Sequence, residues 1–87
     1  MKIQIPDIMR SVIGGIAAVE VKGKTVREGI KALEEKFPEL KPRLYDDQGQ
    51  IFRYIDFFVN NLDIGTNLDF PIKENDELYI LVTIMGG

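Results

Sequence analysis

One helix, with both of its ends written into the chain, limits the folds open to this sequence. Thr25-Val26-Arg27-Glu28 has the form of a capping box, in which the Thr25 hydroxyl accepts from the Glu28 backbone N–H and the Glu28 carboxylate reaches back to the Thr25 N–H. Val26, Ile30, Leu33 and Phe37 then recur at spacings of four, three and four as a single apolar stripe, while Arg27, Lys31, Glu34 and Glu35 turn toward water. Pro38 stops the helix after Phe37, because its ring disfavours the helical conformation in the residue before it. A helix with one apolar stripe must bury that stripe against a second layer, and what flanks it reads as strand.

Lys2, Ile3, Gln4 and Ile5 alternate polar and apolar, which predicts a strand over Met1 to Pro6, with Pro6 ending its ladder. Gly14-Gly15 supplies a turn and Ile16 to Val21 a second, antiparallel strand, so the N-terminal third reads as a β-hairpin. From Tyr54 the period is again two, with Ile55, Phe57 and Val59 on one face and Asp56, Phe58 and Asn60 on the other. Asn60-Asn61 makes a tight turn, and a short strand or turn follows at Leu62 to Ile64. Pro71 to Asp76 has turn chemistry. Glu77 to Ile84 is apolar in both phases, with Leu78, Ile80 and Val82 in one and Tyr79, Leu81 and Ile84 in or near the other, as suits a central strand or one covered by a partner. Glu39 to Gln50, with Pro42 and Asp46-Asp47-Gln48-Gly49, reads as a loop with room for one short helical turn. The expected fold is therefore α+β, a mixed four- to five-stranded sheet with one main helix packed on one face, in a single domain over residues 1–87.

Several kinds of function are excluded by what the chain lacks. With no cysteine and no histidine there is no thiolate nucleophile, no disulfide framework and no imidazole base or ligand. A net charge of −3, with no basic stripe, argues against a nucleic-acid partner. The longest apolar stretch, Tyr79 to Met85, is far short of the roughly 20 residues a membrane helix needs, and a signal-peptide core is missing, so no membrane partner and a cytoplasmic setting are expected. Asp46-Asp47 and the Glu74, Asp76, Glu77 group lack EF-hand spacing and read as solvated turns rather than a metal site. Gly14-Gly15 lacks the spacing and the Lys-Ser/Thr of a phosphate loop.

Two features are left to carry function. If the helix covers one face of the sheet, Phe58, Tyr79 and Leu81 point away from the core; either they form a contact surface, or the segment Glu39 to Arg53 folds over them. The second feature is the ending "ILVTIMGG", Ile80 to Gly87, in which Met85 leads to Gly86-Gly87. Two residues without Cβ add nothing to a core, yet they let a C-terminal carboxylate thread a narrow channel, where it can be adenylated and then attacked by a nucleophile.

The β-β-α-β-β order, "YIDFFVNNLDI" (Tyr54 to Ile64), "IKENDELYILV" (Ile72 to Val82) and the terminal Gly86-Gly87 together resemble the ubiquitin-like sulfur carriers of the MoaD and ThiS type. Those families commonly have Val-Asn-Gly and Gly-Asp-Glu where this chain has Val59-Asn60-Asn61 and Asn75-Asp76-Glu77; in each case Asn stands for a turn glycine, which a left-handed backbone permits. The resemblance implies a β-grasp fold and a carrier, not an enzyme. It implies that a partner E1-like activating enzyme adenylates Gly87 with ATP, no cofactor being bound by the carrier itself. Sulfur transfer then makes a thiocarboxylate, which a second enzyme consumes. Phe58, Tyr79 and Leu81 are the expected docking residues. Thiamine-pathway carriers are shorter, and "RLYDDQGQIFRYIDFFVN" (Arg43 to Asn60) is most similar to carriers that deliver sulfide to a pyridoxal-phosphate cysteine synthase. The small subunit of molybdopterin synthase, which acts with its large subunit, is the alternative, and a ubiquitin-like modifier joined to target lysines is another.

Overall fold

The structure is a computed structural model and describes residues 1–83. Its strands are β1 (Lys2–Gln4), β2 (Ala18–Glu20), β3 (Ile55–Val59), β4 (Leu62–Gly65) and β5 (Glu77–Val82). They form a five-stranded sheet in the order β2-β1-β5-β3-β4, mixed because β1 and β5 run parallel while the other neighbours are antiparallel. β5 is thus the central strand that its two-sided apolar pattern predicts. Its last predicted residue, Ile84, lies outside the described residues.

The main helix α2 (Val26–Lys36) packs across one face. Its stripe residues Val26, Ile30 and Leu33 are buried together with Ile3, Val19, Ile55, Phe57, Leu78 and Ile80 from the sheet. Phe37, the remaining stripe residue, is the C-cap and half-buried. Val26, Arg27 and Glu28, whose N–H groups have no carbonyl four residues back within the helix, find other partners, and Gly29 makes the first helical bond. Val26 donates to the Phe70 carbonyl at 3.1 Å, Arg27 to the Leu68 carbonyl at 2.7 Å, Glu28 to the Thr25 hydroxyl at 3.2 Å and Gly29 to the Thr25 carbonyl at 3.1 Å. Segment 68–70 therefore anchors the helix start as firmly as the cap does. This arrangement is the β-grasp fold.

Several expectations need correction. The first two strands are not joined by a simple hairpin turn: α1 (Asp7–Arg10) and a 3₁₀ turn (Ser11–Ile13) intervene, and they bury Met9 and Ile13 in the core. Within the capping box the Glu28 carboxylate reaches past Thr25 and accepts from the Lys24 N–H at 2.9 Å. Glu34, assigned to water by helical phase, is buried at 7% exposure. The cause is the segment after the helix, which is more ordered than its prolines and glycine suggest. A 3₁₀ turn (Pro38–Leu40) and α3 (Lys41–Leu44) send Leu40 and Leu44 into the core and carry the chain back along α2.

The Asn-for-Gly argument also changes. Among the described residues Asn60, at φ 55°, is the non-glycine residue in the left-handed region; Asn61 and Asn75 are not there. A glycine at those two positions is therefore dispensable for steric reasons, without any special tolerance of Asn.

Candidate functional site

The site is built on β3 and β5. Their antiparallel register sets Phe58 opposite Tyr79 and Asp56 opposite Leu81. Because successive side chains alternate faces, these four stand on the sheet face away from α2, while Ile55, Phe57, Val59, Leu78 and Ile80 fill the core. Tyr79 is 36% and Leu81 44% exposed, and Phe58 is half-buried. The segment Glu39 to Arg53 does not cover them. Its residues Pro42, Tyr45 and Ile51 lie beside Ile30 and Glu34 of α2, on the other side of the sheet. The three residues are therefore brought together and left open.

Carboxylates surround this apolar group. Asp63 pairs with Phe58 across β3 and β4, Asp56 faces Leu81, and Glu77 lies two residues before Tyr79. In the β1 register, Lys2 stands between Glu20 and Glu77, and Gln4 stands beside Tyr79. Gln4 Nε2 donates to Glu77 Oε1 at 2.9 Å, and the Tyr79 hydroxyl donates to the same oxygen at 3.5 Å, which ties the ring toward β1. An apolar centre with an acidic rim suits a partner surface that is apolar with a basic rim.

One end of the face is locked by a turn network. Asn60 Nδ2 donates to Asp76 Oδ1 at 3.0 Å, the Glu77 N–H to Asn60 Oδ1 at 3.1 Å, and the Lys73 N–H to Asp76 Oδ2 at 2.8 Å. The Lys73 N–H foremost, then the Asn60 amide, hold the Asp76 carboxyl below its ordinary pKa. Asp46 is used similarly in its own turn, accepting from the Gln48 and Gln50 N–H groups at 2.9 and 3.0 Å. These acidic residues are structural in their turns, and among the described residues no group of three or more potential metal ligands stands together.

At the opposite end the chain leaves the sheet. The Thr83 N–H donates to the carbonyl of Tyr54, the residue before β3, at 2.7 Å, which extends the β3–β5 pairing by one residue. Tyr54, 41% exposed, stacks on Phe52 with ring centroids 4.9 Å apart. It belongs with the site by position, and its signal was present in the sequence as the phase it shares with Asp56 and Phe58. Met85, Gly86 and Gly87 lie outside the described residues. The described face offers contact surface rather than a nucleophile or base. No helix among the described residues is long and apolar enough to cross a membrane.

No protein-family model and no curated protein matches this chain. Solved structures do. A chain of the BexX/CysO complex of Amycolatopsis orientalis is 35% identical, with a TM-score of 0.85 over 99% of this chain and 98% of that one. CysO of Mycobacterium tuberculosis is 29% identical, with a TM-score of 0.83 over 95% and 98% of the two chains. SAMP1 of Haloferax volcanii is 25% identical, with a TM-score of 0.80 over 99% and 97%.

Proposed function

Because this chain belongs to the ubiquitin-like sulfur carriers of the MoaD/ThiS type, CysO-like proteins among its relatives, we propose that Gly87 is the residue on which it carries sulfur. A partner activating enzyme joins the Gly87 carboxylate to AMP from ATP, releasing pyrophosphate. A sulfur nucleophile then attacks the acyl carbon, AMP leaves, and a thiocarboxylate remains. The sulfide is passed on for cysteine biosynthesis, to an enzyme such as a pyridoxal-phosphate cysteine synthase. The observation that carries this reading is the full-length likeness to the BexX/CysO structure, at 35% identity, in a chain that ends in Gly86-Gly87.

Phe58, Tyr79 and Leu81 serve as the docking face for these partners. Two features support that role: the side chains are grouped on the uncovered face, and the tail starts from the same central strand. Support also comes from the BexX/CysO complex, in which a similar chain is held by a partner protein.

Intact mass tests the carrier role. Incubation of the full chain with its activating enzyme, ATP and a sulfide source is expected to add the mass difference between sulfur and oxygen, and a chain lacking Gly87 is expected to stay unchanged. A plain carboxylate under those conditions overturns the proposal. The likeness to SAMP1, whose counterpart is described as a small archaeal modifier protein, favours a second reading: Gly87 joined to lysines of other proteins. Recovery of such conjugates, without thiocarboxylate, selects it.

A further inference from the structure

A cleft of about 1100 Å3 lies between α2 and residues 41–52, on the helix side of the sheet and away from Phe58, Tyr79 and Leu81. Glu34 lines it. That side chain is 7% exposed, and its Oε1 has no hydrogen-bond partner. The Tyr45 phenol bonds the Glu34 carboxylate but leaves Oε1 without a donor of its own, and a buried carboxylate oxygen in that state is costly to keep. The neighbouring cations do not relieve it. Arg27 bonds Asp69 through Nε and Nη2, both at 3.2 Å, and Lys31 and Lys41 stand exposed on the rim without a carboxylate partner among the described residues.

The walls are already formed. Tyr45 pairs with Ile51 in an antiparallel bridge, and the Asp46 N–H donates to the Gln50 carbonyl at 2.8 Å. Tyr45 and Phe52 both line the cleft, Phe52 with one ring face stacked on Tyr54, and aromatic rings are surfaces that a flat cation can meet. Lys31 and Glu34 are three residues apart on α2, so their Cβ atoms are about 5–6 Å apart and a short stem can span the two charges.

We propose that this cleft binds a small zwitterion of the basic amino-acid class, its cationic head on Glu34 between Tyr45 and Phe52 and its carboxylate on Lys31 and Lys41. The head supplies the missing donor to Oε1, and the rim lysines gain a counter-ion. Nothing in this assignment depends on the sulfur-carrying role of Gly87.

The test is a backbone-amide NMR titration of the full chain with L-arginine, with L-citrulline, which keeps the shape but loses the charge, and with agmatine, which loses the carboxylate. Saturable shifts centred on Glu34, Tyr45 and Phe52 are expected with L-arginine, at least tenfold weaker binding with L-citrulline, and severalfold weaker binding with agmatine. Glu34→Gln is expected to lose the arginine response. Glu35→Gln removes the same charge from an exposed neighbouring position and is expected to keep the response. Equal responses to arginine and citrulline, or arginine binding unchanged in Glu34→Gln, overturn the proposal. If Glu34→Gln folds poorly, the thermal midpoint of the unaltered chain decides: a rise with L-arginine but not with L-citrulline upholds it, and equal shifts refute it.

Discussion

Replacing Tyr79 and Leu81 together by alanine isolates the contribution of the open sheet face to partner binding. Fully burying a large apolar side chain stabilises by about 1.5–3 kcal/mol. Leu81 is 44% and Tyr79 36% exposed, so a partner that covers the remainder gains about 1 kcal/mol from each. The pair then contributes about 2 kcal/mol, or a roughly 30-fold change in Kd. The two residues share a face and couple through the partner, so the double variant is the quantity to measure rather than the sum of single ones. Both side chains lie outside the core, and the fold loses mainly the Phe58–Tyr79 cross-strand contact, worth roughly 0.2–1 kcal/mol. Calorimetric titration against the activating enzyme gives Kd, and a thermal melt reports the fold. A folded double variant that binds within about twofold of the unaltered chain refutes the reasoning, because about 2 kcal/mol of contact cannot vanish without a larger effect.

Thr25→Ala removes the hydroxyl that accepts from Glu28 and is expected to cost about 1 kcal/mol, seen as a melting point lower by roughly 4–8 °C. Asp76 has a lowered pKa when folded, so its stabilisation is complete above the unfolded value of about 3.9 and is lost as pH falls through the folded value. Asp76→Asn is therefore expected to flatten the acid limb of a stability-versus-pH curve below about pH 4, and an unchanged limb counts against the turn network. Burial first, and then the neighbouring Glu34, push the Tyr45 phenol up. Its contribution is complete below the unfolded value of about 10 and fades as pH rises through the folded one. The phenolate absorbance that Tyr45→Phe removes is accordingly expected to develop well above pH 10; a difference signal that instead grows in with a midpoint of about pH 10 contradicts the buried placement.

The elements that could be read from the chain are those whose physics is local. The Thr25 cap, the Val26, Ile30, Leu33 stripe and the alternation over Ile55 to Val59 each rest on neighbours within one turn or one strand, and each stands as read. The helical excursion at Asp7–Ile13 is not legible in the chain because Gly14-Gly15 supplies the same turn signal to a hairpin and to a helix end. The shared phase of Tyr54 with Phe58 was visible, but its stacking on Phe52 beside the departing tail depends on where residues 51–54 turn. The central place of β5 is one of the two readings that a strand apolar in both phases allows, the other being cover by a partner on its second face.

By itself the sequence determined the α+β class, the one main helix, the face that carries Phe58, Tyr79 and Leu81, and a terminus of two residues without side chains. Each follows from periodicity, capping or the absence of a Cβ, which act at short range. Only the tertiary structure decided that the Glu39 to Arg53 segment lies along α2 and leaves the opposite sheet face open. That same choice turned Glu34 from a surface residue into a buried one beside Tyr45. Helical phase shows which way a side chain points, but whether water or another segment meets it there depends on contacts between residues distant in the chain.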